Sequence, residues 1–258
     1  AIDVQCGAGY IRLRRRCQKC DRTGNVLSRA QTAERDPGNQ HAAIYLWGTT
    51  GIGLNREKVK ARMAASPSNS LAMVFDPAVV ARFADCGVSL LDAPDEVIPA
   101  VLKFLGLDPN SKDPGDLQKA GDLLKSIRPS IQKFHSSEYI NGLANGDICM
   151  AVGYSGDVLQ ARDRAAEAGN NINIVYSIPK EGALIWLDAM SIPADAPHVD
   201  EAHVFINFMN KPEIAARNSN FVIYANGNLA SQQFLDPAVK GWNPSPLDQL
   251  SYKRVWLE

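Results

Sequence analysis

Long apolar runs are absent from this 258-residue sequence. None approaches the roughly 18–20 consecutive residues that a membrane-spanning helix requires. An excess of one charge is also missing: 27 Lys and Arg stand against 28 Asp and Glu, a net of −1, which argues against a polyanionic partner such as nucleic acid. Nucleotide signatures fail as well. "GTTGIG" at 48–53 has glycines in the wrong order for G-x-G-x-x-G, and no G-K-[ST] follows, so it is read as a strand entering a Gly-rich turn that serves chain geometry. Histidine is too sparse and badly spaced for a metal site. His198 and His203 are five apart, on different helix faces, while His41 and His135 stand alone, so neither a metal nor a cofactor is expected. No secretory signal precedes the first residue, which leaves a cytoplasmic, an already processed and an incomplete chain as alternatives.

Cysteine is scarce and unevenly placed. Cys6, Cys17 and Cys20 crowd the first twenty residues, while Cys86 and Cys149 stand apart, and the count alone does not fix the redox compartment. "CQKC" at 17–20 is a CxxC in a basic neighbourhood, which would lower thiol pKa values, but a zinc ribbon needs a second CxxC. Residues 1–35 hold eight Arg and Lys against Asp3, Asp21 and Glu34, a local net of +5, so the remaining chain carries −6.

What is present from residue 44 onward is alternation. Short apolar runs such as "VSLLD", "ICMAVGY", "NINIVYSIP" and "GALIWLDAMSIP" read as strands. Between them lie helical patterns. "PDEVIPAVLKFLG" opens on Pro94 with Asp92 as cap, "GDLQKAGDLLKSIRP" carries apolar Leu117, Leu123 and Leu124, and "SGDVLQARDRAAEAG" has Ser155 as N-cap. Strands alternating with helices of 10–15 residues predict an α/β fold with a mainly parallel sheet, whose site lies at the C-terminal ends of strands.

Two candidate chemistries follow. "GYSGD" at 153–157 sits in a strand–turn–helix context, as a hydrolase nucleophile elbow would, but Asp157 stands where G-x-S-x-G needs its second glycine. A serine hydrolase built on Ser155 is therefore the weaker reading. Asp157 itself falls in the first turn of a helix. There it either complements the helix dipole or offers an anion to a cationic ligand. The second chemistry is aromatic plus acidic. Tyr154 and Asp157 flank one turn, Trp186 and Asp188 are two apart on one strand face, Tyr224 ends a short apolar run, and Glu96 opens a helix. Rings cover methylenes and attract ammonium while carboxylates take its hydrogen bonds, which suits an organic cation.

The blocks "LWGTTGIGLN", "CGVSLLDAPDEV", "FHSSEYINGLANGDICMAVGYSGDVLQA", "SIPKEGALIWLDAMSIPADA" and "NFVIYANGN" together resemble the polyamine-binding proteins of bacterial ABC importers, most closely the putrescine-binding type. The match runs from about Asp36 to Asn228. The resemblance implies a two-lobed periplasmic-binding-protein (type II) fold that closes on its ligand and performs no catalysis. It implies ligand roles for Glu96, Tyr154 (in place of a family tryptophan), Asp157, Trp186, Asp188 and Tyr224, and a disulfide between Cys86 and Cys149. Asp157 and Glu96 would come from one lobe, with Asp188 and Tyr224 from the hinge and the other.

The family's opening strand, with a Trp-Ser-x-Tyr stretch, and a later Pro-Ser have no counterpart here. A reading-frame change or a fragmentary gene would account for the Arg- and Cys-rich residues 1–35. The expected organisation is residues 1–45 with 186–258 as a reduced first lobe and 46–185 as the second. The expected function is periplasmic capture of putrescine or spermidine by a monomer that delivers it to ABC permease subunits and meets the membrane only through them. The rivals are a non-binding or repurposed family remnant and the Ser155 hydrolase.

Overall fold

The computed structural model describes residues 4–6, 9–11, 41–242 and 255–257. The CxxC at Cys17 and Cys20, and most of the atypical segment 1–35, lie outside the described residues. Ten strands are described: β1 (Val4–Cys6), β2 (Gly9–Ile11), β3 (Ala43–Asn55), β4 (Val88–Leu90), β5 (Lys133–Phe134), β6 (Met150–Tyr154), β7 (Ile174–Ser177), β8 (Ala183–Met190), β9 (Ala225–Asn226) and β10 (Val255–Leu257). The chain divides into two compact units, Ala1–Trp47 with Leu187–Gln249, and Gly48–Trp186 with Leu250–Glu258.

The unit built on Gly48–Trp186 holds the large core. Ile52, Leu54, Phe75, Phe83, Leu90, Leu102, Tyr139, Leu143 and Met150 are all buried in one cluster, drawn from the sheet and the helices that cover it. The expected parallel pairing is found at β4–β5, β4–β6 and β8–β10. The sheet is nevertheless mixed, because the long β3 runs antiparallel to β6, β7 and β9. Helix Pro94–Phe104 follows β4, and helix Ser155–Glu167 follows β6. Since β4 and β6 are parallel neighbours, both helices begin at the same edge of the sheet, where α/β folds place their ligands.

A disulfide joins Cys86 to Cys149, with Cα atoms 5.5 Å apart. It pins the end of the 3-10 turn Ala81–Cys86 to the residue preceding β6, inside the core.

Several local expectations are corrected. The "GTTGIG" stretch makes no turn: it lies inside the 13-residue strand β3. Its glycines make room for rings, since a Cβ on Gly48 would stand 2.6 Å from Trp186 Cζ2, and one on Gly51 2.5 Å from Tyr176 Oη. Helix Pro94–Phe104 is capped at Ala93, not Asp92, and helix Ser155–Glu167 at Tyr154, so Ser155 is its first residue. Leu117 is 40% exposed, outside the buried face of helix Pro114–Ile127. Strand β8 is buried only over Ala183–Ile185, and Asp188 and Ala189 on its second half are exposed.

In the other unit, β1 and β2 form an antiparallel pair, and β9 pairs with β3 at Leu46–Asn226 and Trp47–Ala225. Helices Val199–Met209 and Pro212–Val222 meet at Pro212, a residue suited to the first helical position. Ala216, Leu235 and Val239 form a small core cluster, with Ile223 packed against it.

Candidate functional site

The register of β3 against β6 sets one half of the candidate site. Thr50 faces Tyr154 across the antiparallel pair, so both side chains leave the same sheet face. Both reach Glu96, the third residue of helix Pro94–Phe104. Tyr154 Oη donates to Glu96 Oε1 at 2.8 Å, and Thr50 Oγ1 donates to Oε2. The carboxyl is half-buried, and loss of water raises its pKa above the usual glutamate value. The Thr50 and Tyr154 hydroxyls oppose that rise, and the nearby Asp95 charge adds to it. Burial and the neighbouring Glu96 likewise push the Tyr154 phenol far up, so it remains a hydrogen donor.

Trp186 completes an aromatic wall in this unit. Its ring stands edge-on to Tyr154, with centroids 5.7 Å apart and planes at 85°. That is a favoured aromatic geometry, because the positive edge of one ring meets the negative face of the other. The Trp186 ring covers Gly48, where an added Cβ would push it aside, and Ser155 Oγ borders the same spot. Ser155 Oγ also accepts a hydrogen bond from the Thr49 amide at 3.3 Å.

Asp157 sits in the first turn of helix Ser155–Glu167, as expected, and accepts from Tyr139 Oη at 2.7 Å. Tyr139 Oη in turn accepts from the Tyr154 amide at 3.0 Å. Tyr139 and Thr50 are absent from the sequence-derived candidates. The available signal for Tyr139 was an aromatic at the start of the helical "SEYINGLANG", directly N-terminal to the strand that carries Tyr154. On the next antiparallel strand, Tyr176 Oη bonds Thr49 Oγ1 at 2.7 Å and donates to the Thr49 carbonyl at 2.9 Å.

The remaining candidates belong to the other unit. Asp188 lies on the exposed part of β8, yet neighbouring protein removes enough water from its carboxyl to raise its pKa. Tyr224 follows Ile223, the C-cap of helix Pro212–Val222. That helix ends on Ile223 with φ 58°, a left-handed conformation that β-branched residues rarely adopt. The chain beyond Tyr224 is held by buried amides. Asn226 Nδ2 donates to Ser219 Oγ at 2.8 Å, Ser231 Oγ and the Asn228 amide donate to Asn226 Oδ1, and Asn228 Nδ2 donates to the Asn210 carbonyl. A satisfied polar network of this kind fixes a single local geometry.

Comparison with known proteins decides the family. The model of the bacterial extracellular solute-binding proteins matches residues 27–243. The chain belongs to this family. Among the solute-binding relatives, the putrescine-binding periplasmic protein SpuD of Pseudomonas aeruginosa is 47% identical over 80% of this chain and 56% of its own length. The putrescine-binding periplasmic protein PotF of Escherichia coli is 48% identical over 81% of this chain and 57% of its own. The chain thus spans somewhat more than half the length of these relatives. A solved solute-binding structure, the spermidine/putrescine ABC transporter substrate-binding protein PotD of Streptococcus pneumoniae, superposes with a TM-score of 0.74 at 27% identity, over 95% of this chain and 71% of that one. These relatives are binding proteins by name, and the fold is the two-lobed α/β fold of solute-binding proteins.

Proposed function

We propose that the protein captures a small aliphatic polyamine, putrescine or spermidine, in the periplasm and presents it to the permease subunits of an ABC importer, as a monomer. The observation that carries this reading is the set around Glu96. A half-dehydrated carboxyl is held by two hydroxyls beside a Tyr154–Trp186 wall, in a chain of the solute-binding family. An ammonium relieves the cost of the charged carboxylate, and the rings cover the methylenes that follow it. Asp157 offers a second anion from the same edge of the sheet, and Asp188 and Tyr224 are further ligand groups carried by the other unit. The Cys86–Cys149 disulfide supports an oxidising compartment.

The test is calorimetry of the purified chain with putrescine, spermidine and spermine. Saturable heat with at least one is expected, and a folded sample that gives heat with none sinks the reading. A fluorophosphonate probe that labels Ser155 would instead favour a hydrolase.

A further inference from the structure

Tyr139 is 1% exposed, too deep to touch a ligand, and yet its hydroxyl is built into the candidate site. Its ring lies against Gly153, where a Cβ would stand 2.5 Å from Tyr139 Cε2. A phenylalanine would fill the same volume, so packing alone does not call for the oxygen. That oxygen bridges two elements: it donates to Asp157 Oδ2 at 2.7 Å and accepts from the Tyr154 amide at 3.0 Å. Tyr154 then reaches Glu96 through its own phenol. One buried hydroxyl therefore joins the backbone of the residue that holds Glu96 to the carboxylate of Asp157.

We propose that Tyr139 is a positioning residue for cation binding, which sets the Asp157 carboxylate and the Tyr154 turn before the ligand arrives. This rests on the polyamine reading given above. A carboxylate already held by a donor loses less rotational freedom when an ammonium arrives. The hydrogen bond to Tyr139 also has a carboxylate acceptor, and charge-assisted hydrogen bonds are the stronger ones.

The test is a double-mutant cycle in putrescine calorimetry, with wild type, Tyr139→Phe, Asp157→Asn and the double variant. Tyr139→Phe is expected to weaken binding about tenfold, as loss of one hydrogen bond to a charged group does. In the Asp157→Asn background the same change should cost no more than about threefold, because the carboxylate it positions is already gone and only its hold on the Tyr154 turn remains. Unchanged affinity in Tyr139→Phe overturns the proposal. So does an equal loss in both backgrounds, which would mark a general packing defect. If wild type binds and Tyr139→Phe matches it, only the role of Tyr139 falls; if folded wild type shows no heat, the polyamine reading falls and the role of Tyr139 with it. Should Tyr139→Phe not fold, amide hydrogen exchange at Tyr154 in wild type answers the question. Exchange slowed by putrescine supports the bridge as part of binding, and unchanged exchange overturns it.

Discussion

Tyr154 holds Glu96 by its phenol, at 2.8 Å, so a carboxyl whose ionisation burial opposes is already oriented. With Thr50 on the other oxygen, each carboxylate oxygen keeps a lone pair for an incoming donor. The hydroxyls lower the penalty of the charged form without cancelling it, and the remaining penalty is what a cation removes.

That balance gives a pH dependence with a definite sign. Burial raises the pKa values of Glu96 and Asp188 above those of the unfolded chain. The stability they contribute is full below the ordinary carboxylate range and is lost as pH rises through the raised values. Putrescine acts oppositely, because it favours the ionised forms. Thermal melts between pH 4 and 7 should show the ligand-induced shift growing with pH, and a shift that shrinks with pH would refute the argument.

Asp188→Asn separates binding from stability. The amide cannot supply the charge an ammonium needs, so putrescine affinity should fall at least about tenfold, the loss of a charge-assisted hydrogen bond. The ligand-free protein should melt no lower than wild type, since a partly dehydrated carboxyl has been replaced by a neutral group. An unchanged ligand-induced melting shift would remove Asp188 from the site.

The disulfide should be a major source of stability. It joins residues 63 apart in sequence, and closing a loop of that length restricts the unfolded chain by about 4 kcal/mol in the chain-entropy description. Urea unfolding of the oxidised protein against the Cys86→Ser/Cys149→Ser double variant measures it. Equal midpoints would show that the crosslink adds nothing.

Gly48 and Gly51 should respond differently to alanine. At Gly48 the new Cβ meets the rim of the Trp186 ring, which can swing, so the fold survives while Trp186 fluorescence shifts and putrescine binding weakens. At Gly51 the Cβ meets the Ser177 carbonyl at 2.7 Å as well as the Tyr176 ring, and a paired backbone cannot give way. Gly51→Ala should therefore cost more, in the range of about 1–3 kcal/mol or above for an overpacked core. Denaturation of the two variants ranks them directly, and the reverse order would contradict the geometry.

Much of the architecture was legible because strands and helices alternate with clear stops. Gly146 and Gly169 end helices with positive φ, and Pro212 starts one. The Cys86–Cys149 pairing, implied by the family resemblance, is present. Glu96, Tyr154 and Trp186, singled out as aromatic and acidic residues, stand in direct contact. What escaped the sequence was long-range. The glycines of β3 look like a turn until Trp186 and Tyr176, more than a hundred residues on, are laid across them. The sequence neighbours of Asp188 are apolar, yet the second half of β8 is exposed. Thr50 and Tyr139 act through partners 46 and 18 residues away, a relation no local pattern encodes.

Gly48, Gly51 and Gly153 lie so close to the ring atoms of Trp186, Tyr176 and Tyr139 that an added Cβ would force something to shift. The packing of these rings is thus partly recorded in positions that have no side chain to inspect. A catalogue of ligand-touching residues would pass over all three, yet each limits which rings its neighbours can keep. Where these rings are exchanged for others, the space at those three positions decides which replacements fit.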